Sequence, residues 1–136
     1  MNMEIALIVS RRSTCERKSV GAVIVRSGRV LSTGYAGVPS KLPHCSSQFC
    51  DLSKPCDRTV HAEANAIAFA AKEGIPIDGS EMFITCSPCI NCAKLIINSG
   101  VKKVTYLEEY RDTNPLKLLE SAHIKVIKYD GSSSES

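Results

Sequence analysis

Two short stretches of the chain carry the residue types that metal-assisted hydrolysis needs: His61-Ala62-Glu63 and Pro88-Cys89-Ile90-Asn91-Cys92. Cys89 and Cys92 are three apart at the start of a segment with helical character, so their thiols share one face. A helix N-terminus favours thiolates. Two thiolates and the imidazole of His61 make three protein ligands. A fourth tetrahedral position left to water is the arrangement of a catalytic zinc, which lowers the pKa of that water towards about 7. Glu63 opens the same predicted helix as His61 and can lie beside the metal without binding it, as a proton shuttle. Cys86 is a competing ligand, but the Ser87-Pro88 turn separates it from the helical pair, and a buried thiol is the expected role. Each short motif is weak alone. A thioredoxin-like use of Cys-x-x-Cys would leave His61 and Glu63 idle.

Positioning these groups requires a scaffold, and the hydrophobic pattern supplies one. Apolar spacing predicts a helix over residues 4–12. Residues 20–25 and 29–35 read as strands joined by a Ser27-Gly28 turn, a hairpin. The alanine-rich segment 61–72 predicts a helix ended by Gly74. Then follow a strand at 81–86, a helix at 89–98 stopped by Gly100, a strand at 103–110, a helix at 116–122 and a strand at 125–129. The order α-β-β-α-β-α-β-α-β predicts a three-layer α/β/α sandwich around a five-stranded mixed sheet. One domain over 1–130 and a polar flexible tail at 131–136 are expected. Phe69 and Leu95 are expected in the core.

The chain has 136 residues, 43% hydrophobic, with a net charge of +3, enough for a single core and no concentrated basic stripe of the kind that long nucleic acid demands. No stretch is long enough to span a membrane. The apolar N-terminus lacks a basic leader and cleavage site, so a cytoplasmic protein is expected. Seven cysteines in such a chain favour metal or catalytic roles over disulfides. Residues 37–57 hold three of them without sustained periodicity, and so long an irregular segment calls for an organiser. Cys15, Cys45, Cys50 and Cys56 together could close a structural zinc shell, with His44 as substitute ligand.

Pairing of His-x-Glu with Pro-Cys-x-x-Cys is the known signature of zinc nucleobase deaminases. Further blocks narrow it: Ser13-Thr14-Cys15, Val20-Gly21-Ala22-Val23-Ile24-Val25, Thr33-Gly34-Tyr35, the run from Arg58 to Ala66, Thr85-Cys86-Ser87-Pro88-Cys89, and the run from Gly100 to Tyr106. Over about residues 6–129 the chain resembles the deoxycytidylate (dCMP) deaminases. The resemblance implies His61, Cys89 and Cys92 as zinc ligands and Glu63 as the shuttle that protonates N3 while water attacks C4 of the cytosine ring. It implies dCMP as substrate and dUMP as product for thymidylate synthesis. It also implies a homohexamer, activation by dCTP and inhibition by dTTP. Tyr110 falls where a family tyrosine lies close to the nucleotide, and Cys15 and Cys45 fall on two ligand positions of a second zinc found in phage members.

One departure bears on substrate. The family usually reads Gly-Tyr-Asn-Gly where this chain has Gly34-Tyr35-Ala36-Gly37, and alanine cannot replace the asparagine's hydrogen bonds to the sugar. Either Ser32, Thr33 or Asn65 compensates, or substrate preference differs. Substrate-binding candidates are Ala36, Asn65, Ser87 and Tyr110; phosphate or effector candidates are Lys41, Arg58, Lys72 and Arg111. Lys72, at the far end of its helix, could serve an interface instead. The alternatives are a deaminase of dCTP, CMP, cytidine or a tRNA adenosine, a riboflavin-pathway deaminase, and a zinc-stapled binding module that catalyses nothing. Aromatics at 5% argue against the tRNA substrate, Ser87 in place of glutamate argues against the riboflavin branch, and the binding module gives Glu63 no task.

Overall fold

The computed structural model describes residues 1–13, 19–39, 41–42 and 59–131. Nine elements follow one another: α1 (Asn2–Ser10), β1 (Gly21–Arg26), β2 (Arg29–Tyr35), α2 (Ala62–Lys72), β3 (Glu81–Cys86), α3 (Ile90–Ser99), β4 (Lys103–Glu108), α4 (Asn114–Ser121) and β5 (Lys125–Lys128). The order of types is the one expected, with boundaries moved by a residue or two. The sheet runs β2-β1-β3-β4-β5. β1 is antiparallel to both β2 and β3, whereas β3–β4 and β4–β5 are parallel. This is the mixed sheet expected: the hairpin supplies the antiparallel half, and the crossovers through α3 and α4 supply the parallel half.

Strand alternation divides the core in two. Ala22, Ile24, Met82, Ile84, Val104 and Tyr106 point to the face covered by α2, α3 and α4. Val23, Val25 and Phe83 point to the other face, against Met3 and Ala6 of α1. The result is the three-layer sandwich. α1 reaches its face at a point where Gly21 stands in β1. A Cβ at Gly21 would collide with the backbone of Ala6 and Ser10, so glycine is what lets the helix sit directly on the strand. Among the described residues, no helix is long and apolar enough to cross a membrane.

Two side chains expected in the core are on the surface instead: Phe69 is 48% exposed and Leu95 46%. α2 turns Ala62, Glu63, Ala66 and Ala70 inward, and α3 turns Cys92, Ala93 and Ile96 inward. Phe69 flanks the first stripe and Leu95 lies outside the second. Small alanines take the buried positions because α2 packs closely on β2. Cys86, by contrast, is buried at the end of β3 as expected.

Candidate metal centre and catalytic site

The carboxyl ends of β2, β3 and β4 and the start of β1 lie at one edge of the sheet, and the chemistry-bearing residues collect there. His61 is the N-cap of α2, in extended backbone conformation. Cys89 is the N-cap of α3, and Cys92 lies in that helix's first turn with its N–H directed at Cys89 Sγ, 3.5 Å away. Two helix N-termini therefore converge on one point, and their positive ends favour the anionic forms of thiol and carboxyl groups.

Placement of α2 depends on β2. Gly34 lies under the first turns of α2, and a Cβ there would run into the backbone of Ala62 and Ala66. Ser32, two residues earlier on the same face, donates its buried hydroxyl to Ala66 O at 2.7 Å. A backbone bridge between Gly37 and Val60 closes the base of the long segment between them, with bonds of 3.1 and 2.7 Å. Asn65 adds a tie from within α2, donating Nδ2 to Tyr35 O at 2.8 Å. Neither the seat at Gly34 nor the ties through Ser32 and Val60 was singled out in the sequence. A glycine inside a strand was the one available signal of close backbone approach.

The donor atoms fit a metal. His61 Nδ1 lies 3.4 Å from Sγ of both Cys89 and Cys92, and all three ligand atoms fall within 4.8 Å of one another. Tetrahedral zinc with ordinary Zn–N and Zn–S bonds would hold nitrogen and sulfur about 3.5 Å apart. One imidazole and two thiols are also the soft, borderline set that zinc prefers. Among the described residues this is the single such cluster.

Glu63 completes the group. Its side chain is buried, 4% exposed. Loss of hydration pushes its carboxyl up to about 7, against lowering by its own backbone N–H and by His61. A hydrogen bond with Cys92 places it beside a ligand thiol. A buried carboxyl poised near neutrality can both accept and return a proton. The two thiols differ in acidity. The hydrogen bond from Cys92, then that with His61, holds Cys89 well below the usual thiol range, while the bond to Cys89 and burial push Cys92 up.

The remaining sequence candidates divide. Ala36 is buried, 5% exposed; its N–H donates to Val20 O at 3.0 Å and its carbonyl accepts from Ser13 Oγ at 2.8 Å. Of the neighbours expected to compensate for it, Ser32 is committed to Ala66. Thr33 pairs with Val23 and so shares the α1 face, away from α2. Asn65, in the helix that His61 caps, is itself tied through Nδ2 to Tyr35 O, and its Oδ1 is the atom it can offer as an acceptor. Ser87 and Tyr110 are brought together, with Tyr110 N–H donating to Ser87 Oγ at 2.6 Å. Arg111 is exposed on the segment after β4, and Lys41 is exposed. Lys72 is exposed at the far end of α2, about 15 Å of helix from His61, too far to share a site with it. Cys15, Cys45, Cys50, Cys56, His44 and Arg58 lie outside the described residues.

Residues 1–108 match the family profile described as the cytidine and deoxycytidylate deaminase zinc-binding region. The chain is 44% identical over 122 residues to ComE operon protein 2 of Bacillus subtilis, an alignment covering 88% of this chain and 64% of that protein. It is 36% identical over 152 residues to the deoxycytidylate deaminase of Enterobacteria phage T4, covering 83% of this chain and 79% of that one. The dCMP deaminase of cyanophage S-TIM5, in its crystal structure with dCMP and dUMP, superposes with a TM-score of 0.85 at 40% identity over 93% of each chain. The conformity of profile, relatives, fold and donor set places the chain in the deoxycytidylate deaminase family, within the zinc-dependent cytidine deaminase superfamily.

Proposed function

We propose that the chain hydrolyses the 4-amino group of a cytosine nucleotide, turning dCMP and water into dUMP and ammonia. The observation that carries this reading is the buried Glu63 carboxyl set against a His61, Cys89 and Cys92 donor group of zinc dimensions. His61, Cys89 and Cys92 would hold the ion, which when bound supplies a Lewis acid able to make water nucleophilic near neutral pH. Glu63 does the proton work. It takes a proton from the attacking water and delivers one to N3 as the bond to C4 forms. It then takes the remaining proton from the new C4 hydroxyl and passes it to the amine nitrogen as the C4–N bond breaks, so ammonia leaves and the C4 carbonyl of a uracil ring remains. Burial matters here, because a solvated carboxylate would be too weak a base and too strong an acid for both halves of the cycle.

Around this centre, Asn65 and Tyr110 are the proposed substrate contacts, and Ala36 can offer only a methyl group. Lys41, Arg58 and Arg111 are the proposed phosphate or effector cations; Lys72 belongs to a subunit interface in this reading. The family resemblance favours a homohexamer under dCTP and dTTP control. Cys15, Cys45, Cys50 and Cys56 would hold a second, structural zinc. Supply of dUMP for thymidylate synthesis in the cytoplasm is the proposed setting.

The test is ammonia release by purified zinc protein with dCMP, CMP, deoxycytidine and dCTP, each with and without dCTP or dTTP as effector, alongside metal analysis. The reading expects dCMP to be strongly preferred and two zinc ions per chain. Turnover of another cytosine compound with dCMP ignored would overturn the substrate, and one zinc per chain would overturn the second site.

A further inference from the structure

Ser87 stands at the exit of β3, two residues before the N-cap of α3, and is 4% exposed. Its hydroxyl oxygen accepts the backbone N–H of Tyr110 at 2.6 Å. Its own N–H donates to Glu108 O at 2.8 Å, prolonging the parallel pairing in which Cys86 faces Glu108. One residue thus grips both the last residue of β4 and the segment that follows it. A second tether, from the Tyr106 hydroxyl to Glu109 Oε1, spans 3.4 Å and is at the limit of a hydrogen bond. The segment so held carries Tyr110, 45% exposed, beyond the carboxyl end of β4, at the sheet edge where the parallel β3 leads into Cys89.

We propose that Ser87 is a positioning residue: its hydroxyl fixes the Tyr110 segment so that the tyrosine side chain is already placed against the nucleotide before it binds. The kinetic part of this inference rests on the deaminase reading above. Ser87 was expected to touch substrate; its buried hydroxyl instead accepts a backbone amide, and through that bond it acts on Tyr110. An aromatic side chain on a tethered segment loses little freedom on binding, and that gain belongs to affinity rather than to proton transfer.

The experiment uses the zinc-loaded protein as wild type, Ser87→Ala, Tyr110→Ala and the double variant. Amide exchange at Tyr110 and tryptic cleavage after Arg111 report the tether without reference to activity. KM and kcat for the preferred cytosine nucleotide report its use. Ser87→Ala is expected to speed Tyr110 exchange about tenfold and to raise KM roughly three- to tenfold, with kcat within about twofold and zinc content unchanged. In the Tyr110→Ala background the same change should leave KM unaltered. Unchanged exchange overturns the tether. A fall in kcat at constant KM, or equal effects of Ser87→Ala in both backgrounds, overturns the positioning role. Absence of turnover in every protein, wild type included, would overturn the deaminase reading, and the exchange rates would then decide the tether alone.

Discussion

Two buried serines bracket β3. Ser80, before its first residue, is fully buried, and its hydroxyl has no hydrogen-bond partner among the described residues. Ser87, just beyond its last residue, is almost as buried, and its hydroxyl holds the Tyr110 amide. The two differ in what surrounds them. Near Ser80 the backbone satisfies itself: Ser80 N–H donates to Ile77 O and Lys102 N–H donates to Ser80 O, so the side chain is left over. Near Ser87 the strand gives way to the turn that launches α3, and the hydroxyl is drawn into holding the next segment. Burial alone therefore says little about function. What separates the two ends of the sheet is whether buried polar groups are tied to elements that bear chemistry.

The contrast can be broken most severely at the site end. Cys92→Ala removes a thiol shared by the donor group and by Glu63. Metal content at the site should fall and turnover should drop by a factor of about 100 or more. Retention of full zinc and activity would mean that Cys92 is no ligand. A smaller effect is expected under α2. Gly34→Ala drives a methyl into the backbone of Ala62 and Ala66, and should cost about 1–3 kcal/mol in denaturant unfolding. Turnover should fall as well, since the strained turn carries His61 and Glu63. Unaltered stability would show that α2 is not seated on that glycine. The smallest effect, with opposite sign, belongs to the far end. Ser80→Ala deletes an unpartnered hydroxyl and should raise stability by about 1 kcal/mol, a few degrees in Tm, with kinetics untouched. A loss of similar size would reveal a partner for Ser80 and erase the distinction between the two ends.

Much of this arrangement was legible in the residues, for physical reasons. Short β-branched runs bounded by glycine and proline mark the strands, because few other conformations bury such runs. The metal ligands were legible because each opens a helix and because cysteine and histidine spacings have few structural uses. Other features depend on tertiary detail. Periodicity finds a helix's apolar stripe but not the depth of the groove beneath it, so Phe69 and Leu95 were assigned to a core that small alanines fill. Ser32 looked like a substrate contact, but its hydroxyl closes on Ala66 because close packing brings that carbonyl within reach. Ser87 looks the same in the sequence, but its partner lies 23 residues away on the segment after β4, a strand whose register no local pattern encodes. Thr33 was ruled out only once its pairing with Val23 was known, since register sets which face a side chain meets.

In the proposed mechanism Glu63 moves the proton while His61, Cys89 and Cys92 hold the metal. The most direct test compares wild type with Glu63→Gln, side by side, for zinc content, melting temperature and ammonia release from dCMP. Equal zinc, a melting temperature no lower than wild type, and turnover reduced by roughly 100- to 10,000-fold are expected. Equal ammonia release from both proteins would contradict it, and would require the proton to be carried by some other group.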